Sequence, residues 1–288
     1  MSSRKRCRTI LVSLVALLLV VGLVDSSSAL QSPSPTTPTA EELRAYEVFR
    51  TWINSQPVNL QQADDDVVFQ RYAAQLQAEG KSQKEAASTI AILRRVADRA
   101  EIERWNRILT APQPGFNTAP NAFLVEMIKG LRPGRALDVG MGQGRNTIFL
   151  AQQGWTAVGF DPAEKAVAAA QEQAAKLGVQ ITTHVARAED YDWGVAQWDL
   201  IVLSYVSARE YVANVQRALR PGGLVLIEGF HRDATKVQPI GSGVVFDTNE
   251  LLKLYTGLRA VRYEDIDSIG DFGPRQPLRI VRLLAQKP

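Results

Sequence analysis

The sequence predicts an α/β fold in which a mostly parallel sheet follows a helical extension. A strand, a glycine-rich loop, a helix and a second strand follow one another between Arg135 and Asp161, the order of a nucleotide-binding βαβ unit. Further apolar runs bounded by turn signals alternate with helix-like segments after it. They include a third strand over 179–185 and a tight Arg-Pro-Gly-Gly turn over 220–223 that leads into strand five. Residues 40–110 instead carry apolar side chains at helical spacing.

The βαβ unit opens with a short apolar run, 136–139, which predicts a buried strand and contains Asp138. A helix over 147–153 and a second strand that ends on Asp161 complete the unit. Between the first strand and the helix lie three glycines at single-residue spacing, Gly140, Gly142 and Gly144.

The glycine spacing decides between classes of nucleotide. A dinucleotide fingerprint needs G-x-G-x-x-G, because its third glycine lets the helix pack closely on the strand. Arg145 stands three residues after Gly142, so a nicotinamide-dependent oxidoreductase is disfavoured. The structural alternative is a βαβ unit whose glycines serve only the turn.

This G-x-G-x-G motif, with an acid before it and an acid ending the next strand, resembles motif I of class I S-adenosylmethionine (SAM)-dependent methyltransferases. The resemblance covers about residues 115–288. It implies a Rossmann-like, seven-stranded, mostly parallel sheet with one antiparallel strand, and SAM as the cofactor. The helix start "G-R-N-T-I-F-L-A" is similar to the tellurite-resistance and thiopurine-type small-molecule branch.

The resemblance also implies roles for the cofactor side. Asp138 would attract the ammonium of SAM, the glycines would let the backbone approach it, and Asp161 would accept both ribose hydroxyls. As plain structure, the two acids could instead cap the glycine loop and the next helix. The family's adenine-binding acid is missing at Arg187, and Glu189 is its possible substitute.

Candidates for the acceptor side are fewer. Phe116, Asn117 and Asn121 lie in a segment that such enzymes often place over the cofactor, although a plain connecting loop is the alternative. His231 follows strand five and is the first candidate for a general base, with Tyr205 after strand four next. A base is optional, because a thiolate or oxyanion acceptor has no proton to lose.

Absences narrow the substrate class. No [DN]-P-P-[YF] motif follows strand four, which disfavours methylation of exocyclic amines, and Cys7 is the only cysteine. Outside residues 1–29 the chain has 29 basic and 29 acidic residues, so nothing argues for nucleic acid or a cysteine metal site. We expect a small-molecule methyl acceptor and no metal. A SAM-binding but catalytically inactive module is the second interpretation.

The chain predicts four segments. Residues 1–29 have the basic start, short apolar run and small residues of a signal peptide, which we favour over a membrane anchor. Residues 30–39 form a Pro/Ser/Thr linker, 40–110 the helical extension and 111–288 the SAM-dependent domain. The protein is therefore expected to be exported or membrane-anchored through this leader, or cytoplasmic if the start codon is mis-assigned.

The helical extension has two capping boxes, Thr39 with Glu42 and Ser82 with Glu85, which predict where two of its helices begin. We expect the extension to pack beside the SAM-dependent domain or to cover the mouth of its cleft. The alternative is a stabilising appendage without contacts to the site.

Overall fold

One mixed sheet organises the chain. The computed structural model describes residues 37–272 and 276–288, so the predicted leader and residues 30–36 of the linker lie outside the described residues. Thr37–Pro288 form one compact unit. The strand order is β3-β2-β1-β4-β5-β8-β7, and only β8 runs antiparallel to its neighbours. A two-residue strand, β6, also pairs with β5, so the predicted seven-stranded Rossmann-like sheet is confirmed with one short addition.

The strands take these bounds: β1 (Arg135–Val139), β2 (Thr156–Asp161), β3 (Thr182–Val185), β4 (Trp198–Ser204), β5 (Leu219–His231), β6 (Val245–Phe246), β7 (Arg259–Ile269) and β8 (Pro277–Gln286). The helices are α1 (Ala40–Asn54), α2 (Val58–Gln61), α3 (Asp65–Ala78), α4 (Gln83–Leu109), α5 (Ala122–Met127), α6 (Arg145–Gln152), α7 (Glu164–Lys176), α8 (Val212–Ala218) and α9 (Glu250–Leu254). Two 3₁₀ helices, Arg232–Lys236 and Ser242–Val244, follow β5.

Two strands differ from their predicted bounds. We expected strand three to begin at Val179, but the Val179 N–H donates to the carbonyl of Ala174 and closes helix α7 instead. The Arg-Pro-Gly-Gly segment, predicted as a turn, lies within β5, where the ladder with β4 is irregular. Within this segment the Gly222 N–H donates to the carbonyl of Lys287, which follows β8. This hydrogen bond continues the pairing between β5 and β8.

The sheet is buried on both faces. Leu137 and Val139 of β1 belong to one hydrophobic cluster, whereas Ala136 belongs to a second cluster. Successive side chains of a strand point to opposite faces, so a strand covered on both faces is apolar throughout. This explains the continuous apolar runs in the sequence.

The helical extension has a hydrophobic cluster of its own, built mainly from α1, α3 and α4. Both capping boxes are confirmed at the starts of α1 and α4. Three polar contacts join α4 to the start of α7. Arg99 and Glu164 form a 2.7 Å ion pair, the Asn106 Oδ1 accepts the Lys165 N–H at 2.9 Å, and Lys165 pairs with Glu103 at 3.5 Å. The extension therefore packs on the βαβ unit. Of the helices in the part of the chain that the structure describes, none has both the length and the apolar character to cross a membrane.

Candidate functional site

A cleft of about 1020 Å³ lies at the carboxyl ends of the parallel strands. Ligands bind at this edge in open α/β sheets. Of the predicted residues, those that line it are Phe116, Asp138, Gly140, Gly142, Asp161, Glu189 and Tyr205. The predicted residues that do not line it are Asn117, Asn121, Gly144 and His231.

The glycine loop brings backbone close to the cleft. All three glycines have positive φ, a conformation that side chains with a Cβ rarely adopt. A Cβ at Gly142 would lie 3.2 Å from the Leu109 side chain at the end of α4. A Cβ at Gly144 would lie 2.8 Å from Ala170, so this glycine lets α6 begin close against α7. The glycines thus let Leu109 and Ala170 pack closely against the loop, and the backbone of Gly140 and Gly142 lines the cleft.

Asp161 ends β2 beside this loop. Its Oδ2 accepts the Gly142 N–H at 3.0 Å and its Oδ1 accepts the Ala163 N–H at 2.8 Å. Burial raises the pKa of this carboxyl, and the two backbone hydrogen bonds oppose the rise. The prediction that Asp161 caps the next helix is wrong in one respect, because the N-cap residue of α7 is Ala163. Each carboxylate oxygen keeps capacity for a second hydrogen bond, as ribose recognition would require.

Asp138, in β1, is buried at the floor of the cleft. The Thr147 hydroxyl of α6 donates to its Oδ2 at 2.7 Å, so this acid contacts the helix and not the glycine loop that it was expected to cap. Burial raises the pKa of Asp138 to about 6, with the Thr147 hydrogen bond and nearby Arg145 acting against the rise. A ligand cation in the cleft would favour its charged form.

Glu189 lies at the rim, where the adenine acid of the family was expected. Its side chain is 60% exposed and lies 3.7 Å from the Arg187 guanidinium, which also contacts Asp98 of α4 at 3.4 Å. The rim is therefore occupied by an arginine between two acids, and Arg187 lines the cleft together with Glu189.

Tyr205 follows β4 with a φ of +58°, unusual for a residue other than glycine. Its hydroxyl accepts the Asp271 N–H at 3.1 Å. Burial, followed by the carboxylates of Glu228 and Asp271, raises the pKa of Tyr205 well above its ordinary value. The phenol therefore keeps its proton at neutral pH, which does not fit the role of general base.

His231 lies away from the cleft, which corrects the expected placement. It is the last residue of β5 and pairs with Phe246 of β6. Its Nδ1 accepts the Asp233 N–H at 3.1 Å, and its Nε2 lies 2.9 Å from the Thr248 hydroxyl. Because Nδ1 accepts, Nε2 carries the proton and donates to Thr248. Both ring nitrogens are thus engaged in hydrogen bonds at the end of β5.

A buried polar network lies behind the cleft, and no pattern in the sequence predicts it. The carboxylate of Asp271, in the segment between β7 and β8, accepts from the Arg145 guanidinium at 2.7 Å. It also accepts from the side-chain amides of Asn121 at 2.8 Å and Asn117 at 3.0 Å. The two asparagines therefore hold the wall of the cleft from behind instead of facing a ligand. No motif links these positions, which lie more than a hundred residues from Asp271.

All four helices of the extension contribute residues to the lining of the cleft, and the end of α4 lies against the glycine loop. Trp105 and Leu109 line it, and the side-chain amide of Gln143 in the glycine loop donates to the Leu109 carbonyl. The extension therefore covers part of the cleft, one of the two arrangements expected. Within residues 37–272 and 276–288, no three His, Cys, Asp or Glu side chains are grouped to hold a metal ion.

Comparison with known proteins shows which family part of the chain matches. Residues 136–223 match the family described as "Methyltransferase domain". Hemagglutinin 1 of Eikenella corrodens is 28% identical over 181 residues, which cover 59% of this chain and 60% of that protein. The probable S-adenosyl-L-methionine-dependent methyltransferase TehB of Haemophilus influenzae is 25% identical over 180 residues, which cover 59% of this chain and 63% of that protein.

A solved structure gives the same fold. It comes from work on the conversion of a disulfide bond into a thioacetal group during echinomycin biosynthesis, and aligns with a TM-score of 0.54 at 19% identity. The alignment covers 65% of this chain and 92% of that chain, and at this identity it shows the fold alone. The present chain spans about three-fifths of the length of the two curated relatives. Residues 136–223 thus match a methyltransferase domain, and about three-fifths of the chain is similar to probable SAM-dependent methyltransferases named TehB.

Proposed function

We propose that the protein transfers a methyl group from SAM to a small-molecule acceptor bound in the cleft. The observation that carries this proposal is the Asp161 carboxylate, buried beside a glycine loop and tied to it by the Gly142 N–H. This arrangement leaves acceptor capacity for two hydroxyls next to backbone without side chains.

The residues of the cleft fit SAM. The Asp161 oxygens would hold the ribose, the glycine loop would lie against the methionine portion, and Asp138 would attract the ammonium. Glu189 is the remaining candidate to bind the adenine of SAM. Adenine would then replace the Arg187 guanidinium as its partner. When bound, SAM would supply an electrophilic methyl group on a sulfonium centre.

The chain itself contributes mainly proximity and alignment. Effective molarity in a well-aligned displacement accounts for about 7–11 kcal/mol of a barrier. Tyr205 keeps its proton at neutral pH and His231 lies outside the cleft, so neither serves as the base. The acceptor therefore brings its own nucleophile, such as a thiolate or an oxyanion, to an in-line displacement.

A small acceptor suits the enclosure of the cleft. The end of α4, the loop that carries Phe116 and the segment that carries Phe272 all border it. Its volume of about 1020 Å³ includes space beside α1 and α3 of the extension and slightly exceeds the range of ordinary ligand pockets, about 300–1,000 Å³. The cleft therefore has room for SAM together with a compact acceptor.

The second candidate function, a SAM-binding module without turnover, is favoured by one observation. Arg187 stands where an adenine-binding acid was expected, and the substitute Glu189 is exposed. Formation of S-adenosylhomocysteine (SAH) in the presence of acceptors separates the two functions, since a binding module forms none.

We expect Asp161→Ala to abolish measurable binding of SAM and SAH in isothermal titration calorimetry. The variant should stay folded, at a cost of about 1–3 kcal/mol for the two N–H groups that lose their acceptor. Asp199→Ala is the control, because Asp199 accepts from the Arg135 N–H at the opposite end of the sheet. Unchanged affinity in Asp161→Ala, or an equal loss in Asp199→Ala, would contradict the proposed site.

A further inference from the structure

One side of the cleft is formed by contiguous aromatic rings. This aromatic wall consists of five cleft-lining residues, Trp105, Phe116, Tyr205, Phe230 and Phe272. Phe272 is its centre: its ring stacks on Phe116 at 5.2 Å and meets Tyr205 edge-on at 5.4 Å and Trp105 at 6.4 Å. Tyr205 in turn contacts Phe230 at 5.0 Å.

The wall is assembled from segments far apart in the chain. Trp105 comes from α4 of the extension, Phe116 from the loop before α5, and Phe272 from the segment after β7. A backbone bridge joins Phe116 to Phe272, and the Asn117 N–H donates to the Asp271 carbonyl at 2.7 Å. The rings are thus held by backbone contacts and not only by packing.

Four of the rings are only partly buried. Phe230 is 3% exposed and forms the base, whereas Trp105, Phe116, Tyr205 and Phe272 keep intermediate exposure on the cleft side. Rings that served only the hydrophobic core would be covered as completely as Phe123 or Phe160. This wall instead presents apolar π surface to a cavity.

The polar atoms of the wall are already satisfied. The Trp105 indole N–H donates to Glu101 at 2.9 Å, and the Tyr205 hydroxyl accepts the Asp271 N–H. Behind the rings, the Arg145 guanidinium is neutralised by Asp271 at 2.7 Å. The Arg104 guanidinium lies over the Trp105 ring, 5.2 Å from its centroid, and is paired with Glu47 and Glu101. The wall therefore offers ring faces and edges beside charges that are already paired.

The wall adjoins the cofactor side of the cleft. Tyr205 follows β4, which pairs with β1, and β1 leads into the glycine loop. A Cβ at Gly140 would lie 2.6 Å from the side chain of Val206, the residue after Tyr205. A molecule lying on the wall would be next to the glycine loop.

We propose that the aromatic wall selects a flat, ring-bearing acceptor, and that Trp105 gives the helical extension a direct part in this selection. The inference rests on the proposed function, whose acceptor it specifies. Offset-stacked and edge-to-face contacts between rings favour aromatic over saturated ligands of the same size.

The test uses two uncharged product analogues, anisole and cyclohexyl methyl ether, which share a methoxy group and differ in the ring. Each is titrated into the SAH-saturated protein and followed by ligand-observed NMR. If buried apolar area alone decided the affinity, cyclohexyl methyl ether would bind at least as tightly as anisole. We expect anisole to bind about two- to tenfold more tightly, the range that ring contacts supply.

Trp105→Leu and Phe272→Leu should each remove most of the preference for anisole and leave the SAH affinity unchanged. Trp105→Phe should keep the preference for anisole. Trp52→Leu is the matched control, since Trp52 is a partly buried tryptophan of the extension that does not line the cleft. Equal binding of the two ethers by the wild type, or binding of neither, would refute the inference while SAH binding stands. Failure of SAH itself to bind would refute the proposed function and this inference with it.

Discussion

Two buried acids at the ends of neighbouring strands, Asp138 and Asp161, are held by different partners. Asp161 accepts two backbone N–H groups, whereas Asp138 accepts one side-chain hydroxyl, that of Thr147. Two fixed backbone donors orient a carboxylate for a hydroxyl ligand. At Asp138 burial outweighs the Thr147 hydrogen bond and nearby Arg145, and raises the pKa to about 6.

This difference predicts how stability depends on pH. In the folded protein the Asp138 carboxyl binds its proton more tightly than in the unfolded chain, since its pKa rises from 3.8 to about 6. Its contribution to the free energy of unfolding should therefore fall by about 3 kcal/mol as pH rises from about 4 to 6, and then level off. Urea unfolding of the wild type and of Asp138→Asn at several pH values measures this contribution as their difference.

The asparagine can still accept the Thr147 hydroxyl but has no proton to lose. We expect Asp138→Asn to gain stability relative to the wild type between pH 4 and pH 6. Thr147→Val provides the control, because it removes a hydrogen bond that lowers the pKa and should extend the fall to higher pH. A stability difference that is the same at every pH would rule out this account of Asp138.

At the level of elements, the contact between the glycine loop and the end of α4 joins the extension to the site. The prediction of two separate helical beginnings in the extension was confirmed, because capping boxes are local and need only three residues. The contact of Leu109 with Gly142 could not be predicted, because nothing in either segment specifies the other. Packing of α4 on α7 brings them together.

We expect Gly142→Ala to weaken SAH binding at least tenfold as well as destabilise the protein. Positive φ costs a residue with a Cβ about 1–2 kcal/mol, and the added Cβ would also press on Leu109 at 3.2 Å. Gly178→Ala is the matched control, because Gly178 also has positive φ but has no atom within 4 Å of an added Cβ. Urea unfolding should show a loss of stability in both variants that is larger in Gly142→Ala, and calorimetric titration should show reduced SAH affinity only in Gly142→Ala. Equal SAH affinities would show that the close approach at Gly142 does not matter.

For the whole molecule, the Arg145–Asp271 ion pair connects the βαβ unit to the segment before the last strand. The two side chains are 12% and 7% exposed. Breaking a buried pair by removing one partner leaves an uncompensated charge, which costs about 3–5 kcal/mol. The pair also holds Asp271 beside Tyr205 and the aromatic wall.

We expect Arg145→Met and Asp271→Asn each to lower the free energy of unfolding by about 3–5 kcal/mol. The double variant should lose less than the sum by about 1–3 kcal/mol, because neither charge is left alone. Arg262 and Glu126 form the control pair, with a similar distance of 2.8 Å but side chains 43% and 50% exposed, and its coupling should stay below about 1 kcal/mol. Urea unfolding of the four chains in each cycle gives the coupling, and additive losses at Arg145 and Asp271 would exclude this role.

The sequence alone was enough for the order of the sheet-forming segments, the glycine loop and the acid at the end of β2. These features are local: burial on both faces makes a strand apolar throughout, and a loop with positive φ requires glycine at set positions. Strand ends were less predictable, as at Val179, where a helix-closing hydrogen bond took the first residues expected of β3.

Only the tertiary structure decided which side chains meet at the cleft. It placed Trp105, Arg145 and Phe272 there or behind it, and it turned His231 toward Thr248 and Asp233. Such contacts depend on how helices and connecting segments pack across a hundred or more residues, and no local pattern encodes them. The proposed SAM site therefore lies mainly in one stretch of chain, whereas the proposed acceptor site is formed by distant segments that folding brings together.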